Sequence, residues 1–229
     1  MSFVSGESRP PADPHARETI LTAGPAPEKA DATLVLIHGR GAAAEDMLSL
    51  YSELSLPNIA AIAPQAAGNS WYPHSFLAPL EANQPYLDSA LRRMESVLSD
   101  LLARGISSER IALLGFSQGA CLTAEYVARH PRRYGAVIAF TGGLIGPPDT
   151  PRTYSGSLAG SPVFLGTSDP DPHVPFARVQ ETATVLERMG AEVDLRRYPG
   201  MPHTINEEEL AAARSLLQRM VAAESEPRG

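Results

Sequence analysis

The pentad Gly115-Phe-Ser117-Gln-Gly119 holds the side chain best suited to chemistry in this chain, a serine hydroxyl between two glycines. The apolar run over residues 111–114 has the length of a strand, and a helical pattern follows the pentad. A strand that turns into a helix over so few residues strains the serine backbone, and glycines remove the Cβ atoms that would collide there. This arrangement predicts that Ser117 is a nucleophile held out at the carboxyl edge of a sheet.

A serine hydroxyl needs a base within hydrogen-bond reach, and the chain has six histidines. His203 fits best, because it lies in a short loop after the last predicted strand and follows the serine in chain order. The other candidates fit less well: His15 falls in a polar N-terminal segment, His130 at a helix end, and His38 before the serine. We therefore predict His203 as the general base.

The base needs a carboxylate that orients its ring, placed after a strand and between the serine and His203. Asp169 and Asp171 both satisfy that condition. Asp169 is closer to the predicted strand end, whereas Asp171 is closer to the helix that follows. We favour Asp171 and keep Asp169 as the alternative; the other aspartate would be a turn or capping residue.

Negative charge that develops on a substrate oxygen requires two backbone N–H groups that converge on it. One is expected from Gln118, the residue after the nucleophile, and the other from the loop after an earlier strand. In that loop Arg40 stands between Gly39 and Gly41, which allow close approach of the backbone. A phosphate-binding loop is a poorer interpretation, because no Gly-Lys-Ser or Gly-Lys-Thr ending is present.

Strands and helices alternate along the chain, which favours an α/β fold with a mostly parallel sheet covered by helices on both faces. The polar motifs follow the ends of predicted strands, where such sheets bind ligands. We predict a loosely ordered arm over residues 1–16 and one domain over residues 17–224. The predicted strands are 19–23, 33–37, 58–63, 111–114, 135–140, 163–166 and 193–198, and the predicted helices are 44–54, 85–104, 118–130, 176–189 and 206–223.

Composition excludes several classes of protein. The formal charge is −7 with no long basic run, which disfavours nucleic acid and anionic membranes as partners. Cys121 is the only cysteine, so no intrachain disulfide framework exists. The N-terminal residues lack the basic and apolar regions of a signal peptide, and no apolar run has the length of a membrane span, so we expect a cytoplasmic protein without stable membrane insertion. The sequence leaves a homodimer open.

Five motifs, taken in order, resemble the phospholipase/carboxylesterase family of α/β hydrolases, the relatives of acyl-protein thioesterases. They are Leu36-Ile-His38-Gly39-x-Gly41, Ala63-Pro64-Gln65, Gly115-Phe-Ser117-Gln-Gly119-Ala, Asp171-Pro-x-Val-Pro175 and Tyr198-x-Gly-x-x-His203. The resemblance covers about residues 30–222 and implies an esterase or thioesterase with the α/β-hydrolase fold. It implies a triad of Ser117, an aspartate and His203, with Arg40 and Gln118 as oxyanion donors.

Two departures from the family pattern bear on the substrate. Arg40 stands where the thioesterase branch usually carries an apolar residue, and Asn69-Ser-Trp71-Tyr72-Pro73 resembles a bacterial esterase branch. We expect Trp71, Tyr72 and Met201 to line the substrate pocket.

The predicted activity is that of a serine carboxylesterase that cleaves small to medium acyl esters through an acyl-enzyme, with a small-molecule ester as its partner. An acyl thioesterase or lysophospholipase is the alternative within enzymes, and a catalytically silent ligand-binding module is the alternative of another class. No cofactor is expected, and no His, Cys, Asp or Glu cluster has metal-ligand spacing.

Overall fold

One sheet organises residues 13–225, the part of the chain that this computed structural model describes. Its seven strands are β1 Ile20–Ala23, β2 Ala32–Ile37, β3 Ile59–Pro64, β4 Ile111–Phe116, β5 Ala136–Phe140, β6 Pro162–Asp169 and β7 Glu192–Pro199. Within the same residues the α-helices are α1 Ala44–Leu54, α2 Tyr86–Ala103, α3 Gln118–Arg129, α4 Phe176–Arg188 and α5 Glu207–Ser225. Each of these strands and helices was predicted from the sequence, with ends that shift by a few residues.

The strand order is β1-β3-β2-β4-β5-β6-β7, and every pair is parallel except the edge pair of β1 with β3. Strand β4 lies in the centre, with β2 on one side and β5 on the other. Its carboxyl end therefore lies beside the ends of β2 and β5, and one further strand separates it from β3 and β6. The mostly parallel sheet of the sequence prediction is confirmed.

Helices cover both faces of the sheet and build a separate apolar core on each. One core packs α2, α3 and α4 against the sheet, and the other packs α1 and α5 against the opposite face. Strands such as β2 and β3 are buried along their whole length, which explains why they are continuous apolar runs rather than alternating ones. The sheet is thus a rigid support for the loops at its carboxyl edge.

Strand β6 is longer than the predicted 163–166 and runs on to Asp169. Asp169 pairs with Pro199 of β7 in the parallel ladder, so its backbone belongs to the sheet. Asp171 lies in the turn two residues beyond the strand, after Pro170. The extension places the two candidate acids in different local structures, which the sequence pattern alone did not resolve.

The predicted N-terminal arm differs from expectation where it is described. Residues 1–12 lie outside the described residues, but residues 13–16 form a turn against α2. Asp13 Oδ2 lies 2.9 Å from Arg92 Nε, and His15 is fully buried. The His15 amide donates to Ser89 Oγ at 3.0 Å. These contacts attach residues 13–16 to the domain, so they are not a loosely ordered segment.

Candidate active site

Ser117 occupies the sharp turn between β4 and α3. Its backbone has φ 55° and ψ −118°, a conformation that costs free energy for a residue with a Cβ. A Cβ on Gly115 would collide with the Gly119 backbone, and one on Gly119 would collide with the carbonyl groups of Ile37 and His38. Close backbone packing therefore requires glycine at both positions, because a Cβ would collide there, as the sequence analysis predicted.

His203 lies between Ser117 and Asp171. Its Nε2 is 2.8 Å from Ser117 Oγ, and its Nδ1 is 2.7 Å from Asp171 Oδ2. The three residues come from the turn after β4, the turn after β6 and the loop after β7. Both distances are those of hydrogen bonds, so the arrangement can pass a proton from the serine to the imidazole while the carboxylate holds the ring.

The Asp171 carboxylate is fully buried and has more partners than His203 alone. Ser168 Oγ donates to Oδ2 at 2.6 Å, and the amides of His173 and Val174 donate to Oδ1, each at 2.8 Å. Burial opposes the charge, but these hydrogen bonds and the one from His203 outweigh it and hold the pKa of Asp171 below its usual range. The carboxylate is therefore an ionised acceptor that can orient the imidazole.

Asp169 lies apart from His203. Its side chain forms an ion pair with Arg197 of β7, and its carbonyl accepts a hydrogen bond from the Gly200 amide at 2.9 Å. The structure thus brings Asp171 to the histidine and leaves Asp169 in a salt bridge at the sheet edge.

Arg40, Gln118 and Ser117 line the same cavity. Gln118 is the first residue of α3, where a backbone N–H has no intrahelical acceptor. Arg40 lies in the turn after β2, next to the close approach of Gly39 to Phe116 and Ser117. Both residues therefore lie beside the serine, and the role of their backbone amides as oxyanion donors stays a prediction.

The side chains of Gln118 and Arg40 both hold the segment Ser70–His74, a role that the sequence analysis missed. The buried Gln118 amide accepts from the Trp71 amide and donates to the Tyr72 carbonyl, each at 2.8 Å. Arg40 Nη1 donates to the Pro73 carbonyl at 2.7 Å and to Ser70 Oγ at 3.2 Å, and Nη2 donates to the His74 carbonyl at 2.6 Å. The two candidate oxyanion residues are therefore tied to one loop through their side chains.

The cavity above Ser117 has a volume of about 470 Å³. Besides the residues already placed around the serine, its lining includes Tyr72, Pro73, His74, Ser75, Phe76, Phe116, His173 and Val174. Of the three residues predicted to line the substrate pocket, Tyr72 lines this cavity, whereas Trp71 and Met201 do not. Contact of Tyr72 with substrate stays a prediction.

Trp71 is a core residue behind the cavity wall rather than a contact for substrate. It is fully buried, and its Nε1 donates to the His38 carbonyl at 2.9 Å, which supports the turn that leads to Arg40. Its own carbonyl lies 3.0 Å from His15 Nε2. A tryptophan can be fully buried when its single N–H group has a hydrogen-bond acceptor, and the His38 carbonyl is that acceptor. Met201 lies outside the cavity, where its Sδ accepts from Asn206 Nδ2.

Other side chains in the site have no catalytic arrangement. Cys121 lines the cavity, but burial raises the pKa of its thiol to about 12, so it stays protonated. In the described part of the chain no group of three or more His, Cys, Asp or Glu side chains could hold a metal ion. No helix within residues 13–225 has the length and apolar character needed to cross a membrane.

Known proteins resemble this chain in sequence and in fold. The sequence model of the phospholipase/carboxylesterase family matches residues 22–221. The chain belongs to this family. A phospholipase/carboxylesterase from Dyadobacter fermentans, known from its crystal structure, is 48% identical, with a TM-score of 0.85 over 88% of this chain and 96% of that one.

Curated relatives carry esterase and thioesterase names. A probable carboxylesterase, SOBER1-like, from Arabidopsis thaliana is 26% identical over 211 residues, which are 84% of this chain and 80% of that protein. The acyl-protein thioesterase 1 of Debaryomyces hansenii is 31% identical over 113 residues, or 49% of each chain. The family assignment confirms the α/β-hydrolase fold and the prediction of a carboxylic ester hydrolase.

Proposed function

We propose that the protein is a serine carboxylesterase that hydrolyses small to medium acyl esters through a covalent acyl-enzyme. The observation that carries this proposal is the chain of two hydrogen bonds from Ser117 through His203 to Asp171. In the first half-reaction His203 Nε2 takes the Ser117 proton as Oγ attacks the ester carbonyl, and the imidazolium gives that proton to the departing alcohol. Water then attacks the acyl-serine with His203 as base and releases the acid.

Each remaining part of the site has one role in that scheme. Asp171 holds His203 in the tautomer with a proton on Nδ1 and stabilises the imidazolium. The backbone amides of Arg40 and Gln118 donate to the oxyanion of both tetrahedral intermediates. Tyr72, Phe76 and Phe116 form the apolar part of the cavity, which accepts the acyl group or the alcohol.

A thioesterase or lysophospholipase activity is the second candidate, because the same triad cleaves thioesters and some relatives are named acyl-protein thioesterases. A short acyl ester is favoured over a long one, since the lining includes exposed His173 and the charged Arg40 as well as apolar residues. A silent binding module is disfavoured, because the three triad side chains are in hydrogen-bond contact.

The test is turnover of p-nitrophenyl esters of increasing chain length, with acyl thioesters alongside. The wild-type protein should hydrolyse the short esters best, and Ser117→Ala should reduce kcat/KM by roughly 10⁴-fold or more with an unchanged melting temperature. Activity retained in the folded Ser117→Ala variant would refute the proposal. A preference for long acyl thioesters would favour the second candidate.

A further inference from the structure

Arg40 is the charged group of the cavity, and its position suggests a property of the substrate. Among the described lining residues it is the only arginine or lysine, and no aspartate or glutamate is present. The three histidines of the lining add no negative charge. Arg40 is thus the one permanently charged side chain among these lining residues, in a chain whose formal charge is −7; the ionised Asp171 lies behind His203 and is bonded to it.

The Arg40 guanidinium is fixed by neutral acceptors. Its partners in the described residues are the carbonyl groups of Pro73 and His74 and the Ser70 hydroxyl. Its Cζ also lies 5.9 Å from the centre of the Tyr72 ring, at cation–π distance. None of these groups neutralises its charge. Arg104 and Arg129, by contrast, are each paired with a glutamate.

The hydrogen-bond capacity of the guanidinium is not used up by the loop. Nη1 donates twice, Nη2 donates once, and Nε has no acceptor among residues 13–225. Nε and Nη2 therefore each keep one N–H, and adjacent guanidinium nitrogens can bind the two oxygens of a carboxylate. Because the loop already holds the side chain in place, binding costs less side-chain entropy than it would for a free arginine.

We propose that Arg40 is a specificity-determining residue that binds a carboxylate on the substrate, so that the preferred substrates are esters with a second, ionised carboxyl group. This inference rests on the proposed esterase function and names the substrate class of the same site. A carboxylate fits better than a phosphate dianion, because one arginine compensates one negative charge and the lining offers no second cation.

The experiment uses paired esters that differ by one charge. In the first pair monomethyl glutarate, which carries its carboxylate on the acyl side, is compared with neutral dimethyl glutarate. In the second pair 4-acetoxybutanoate, which carries its carboxylate on the alcohol side, is compared with its neutral methyl ester. The measured quantity is the ratio of kcat/KM for the anionic ester to kcat/KM for the neutral one. A ratio is used because Arg40 also holds the loop, so its loss will change the turnover of both esters.

In Arg40→Met the ratio should fall by about 10-fold for one of the two pairs, since a charge-assisted hydrogen bond at a solvent-accessible site is lost. Arg40→Lys should give an intermediate ratio, because it keeps the charge without the paired N–H groups. The matched control is Arg133→Met, an exposed arginine that donates to the Ala159 carbonyl and precedes β5, at the opposite edge of the sheet. Its ratio should equal that of the wild type.

Raising the salt concentration gives a second readout. In the pair whose ratio falls in Arg40→Met, salt should lower the wild-type kcat/KM for the anionic ester and leave that for the neutral ester unchanged. A ratio in Arg40→Met within twofold of the wild type for both pairs would overturn the proposal while the neutral esters still report an esterase. Failure of the wild type to hydrolyse any of the four esters while it turns over p-nitrophenyl acetate would also overturn the proposal, whereas failure on p-nitrophenyl esters as well would instead refute the esterase function.

Discussion

The two walls of the cavity beside Ser117 are held together by different kinds of bond. On one side Asp171 and His203 meet through ionisable side chains, and the bonds themselves take part in the proposed chemistry. On the other side Arg40 and Gln118 hold main-chain groups of Ser70–His74, and those bonds do not change during a reaction. In the proposed mechanism Asp171 and His203, the acid–base wall, move protons, whereas Arg40 and Gln118 with Ser70–His74, the loop wall, keep two backbone amides in place.

The largest effect is expected when the charge of the Asp171 carboxylate is removed with little change in side-chain shape. Asp171→Asn should lower kcat/KM by about 10³- to 10⁴-fold, because an amide cannot hold His203 in the tautomer that accepts the serine proton. Asp169→Asn is the matched control, since that side chain pairs with Arg197 instead. Its kcat/KM should change by less than about threefold, because the lost surface ion pair contributes little. Equal losses in the two variants would contradict the assignment.

The residues of the acid–base wall could be predicted from the sequence, which favoured Asp171 as the acid but left Asp169 open. Ser117 and His203 stand out because glycine spacing and chain order restrict a nucleophile and its base. Asp169 and Asp171 differ only in where β6 ends, and strand ends follow from tertiary pairing with β7 rather than from local pattern.

The contacts that form the loop wall could hardly be predicted from the sequence. The unusual Arg40 was noticed, but its partners are carbonyl oxygens 33 and 34 positions away, which every residue type possesses. Trp71 was expected in the pocket and lies in the core, because its single polar atom finds the His38 carbonyl. Contacts from a side chain to distant main-chain atoms leave no compositional signal.

The loop wall should respond to loss of the Gln118 side chain, although its backbone amide remains. Gln118→Ala removes the contacts to Trp71 and Tyr72 and so takes away one of the two side chains that hold the loop. We expect kcat to fall by roughly 10- to 100-fold with a smaller change in KM, because a misplaced oxyanion donor affects the transition state most. Gln180→Ala, an exposed glutamine of α4, is the control and should match the wild type. An unchanged kcat in Gln118→Ala would show that the amides need no support from the loop.

The pH dependence of folding stability should show a smaller effect, because two buried histidines bind the backbone just before the segment Ser70–His74. His15 Nδ1 accepts from the Ala67 amide at 3.0 Å, and His38 Nε2 accepts from the Ala66 amide at 3.1 Å. Burial lowers the pKa of both below the usual 6.5. As pH falls below about 6.5, the unfolded chain takes up protons that the folded chain resists, so stability is present above that pH and lost below it.

His15→Gln tests this pH dependence. At pH 8 its melting temperature should be lower by about 2–6 °C, because buried hydrogen bonds are lost. Between pH 7 and pH 5 its melting temperature should fall less steeply than that of the wild type, since one histidine whose pKa is lowered by burial is gone. Parallel curves for the two proteins would mean that His15 does not contribute to the acid-side loss.

The central claim is that Ser117 becomes acylated with His203 as its base. Quenching the protein in acid during turnover of p-nitrophenyl acetate, followed by peptide mass mapping, tests it most directly. The account predicts one acetyl group on Ser117 in the wild type, and no such adduct in His203→Ala at the same quench time. An acetyl group on another residue, or turnover without any adduct on Ser117 under conditions where deacylation limits the rate, would contradict it.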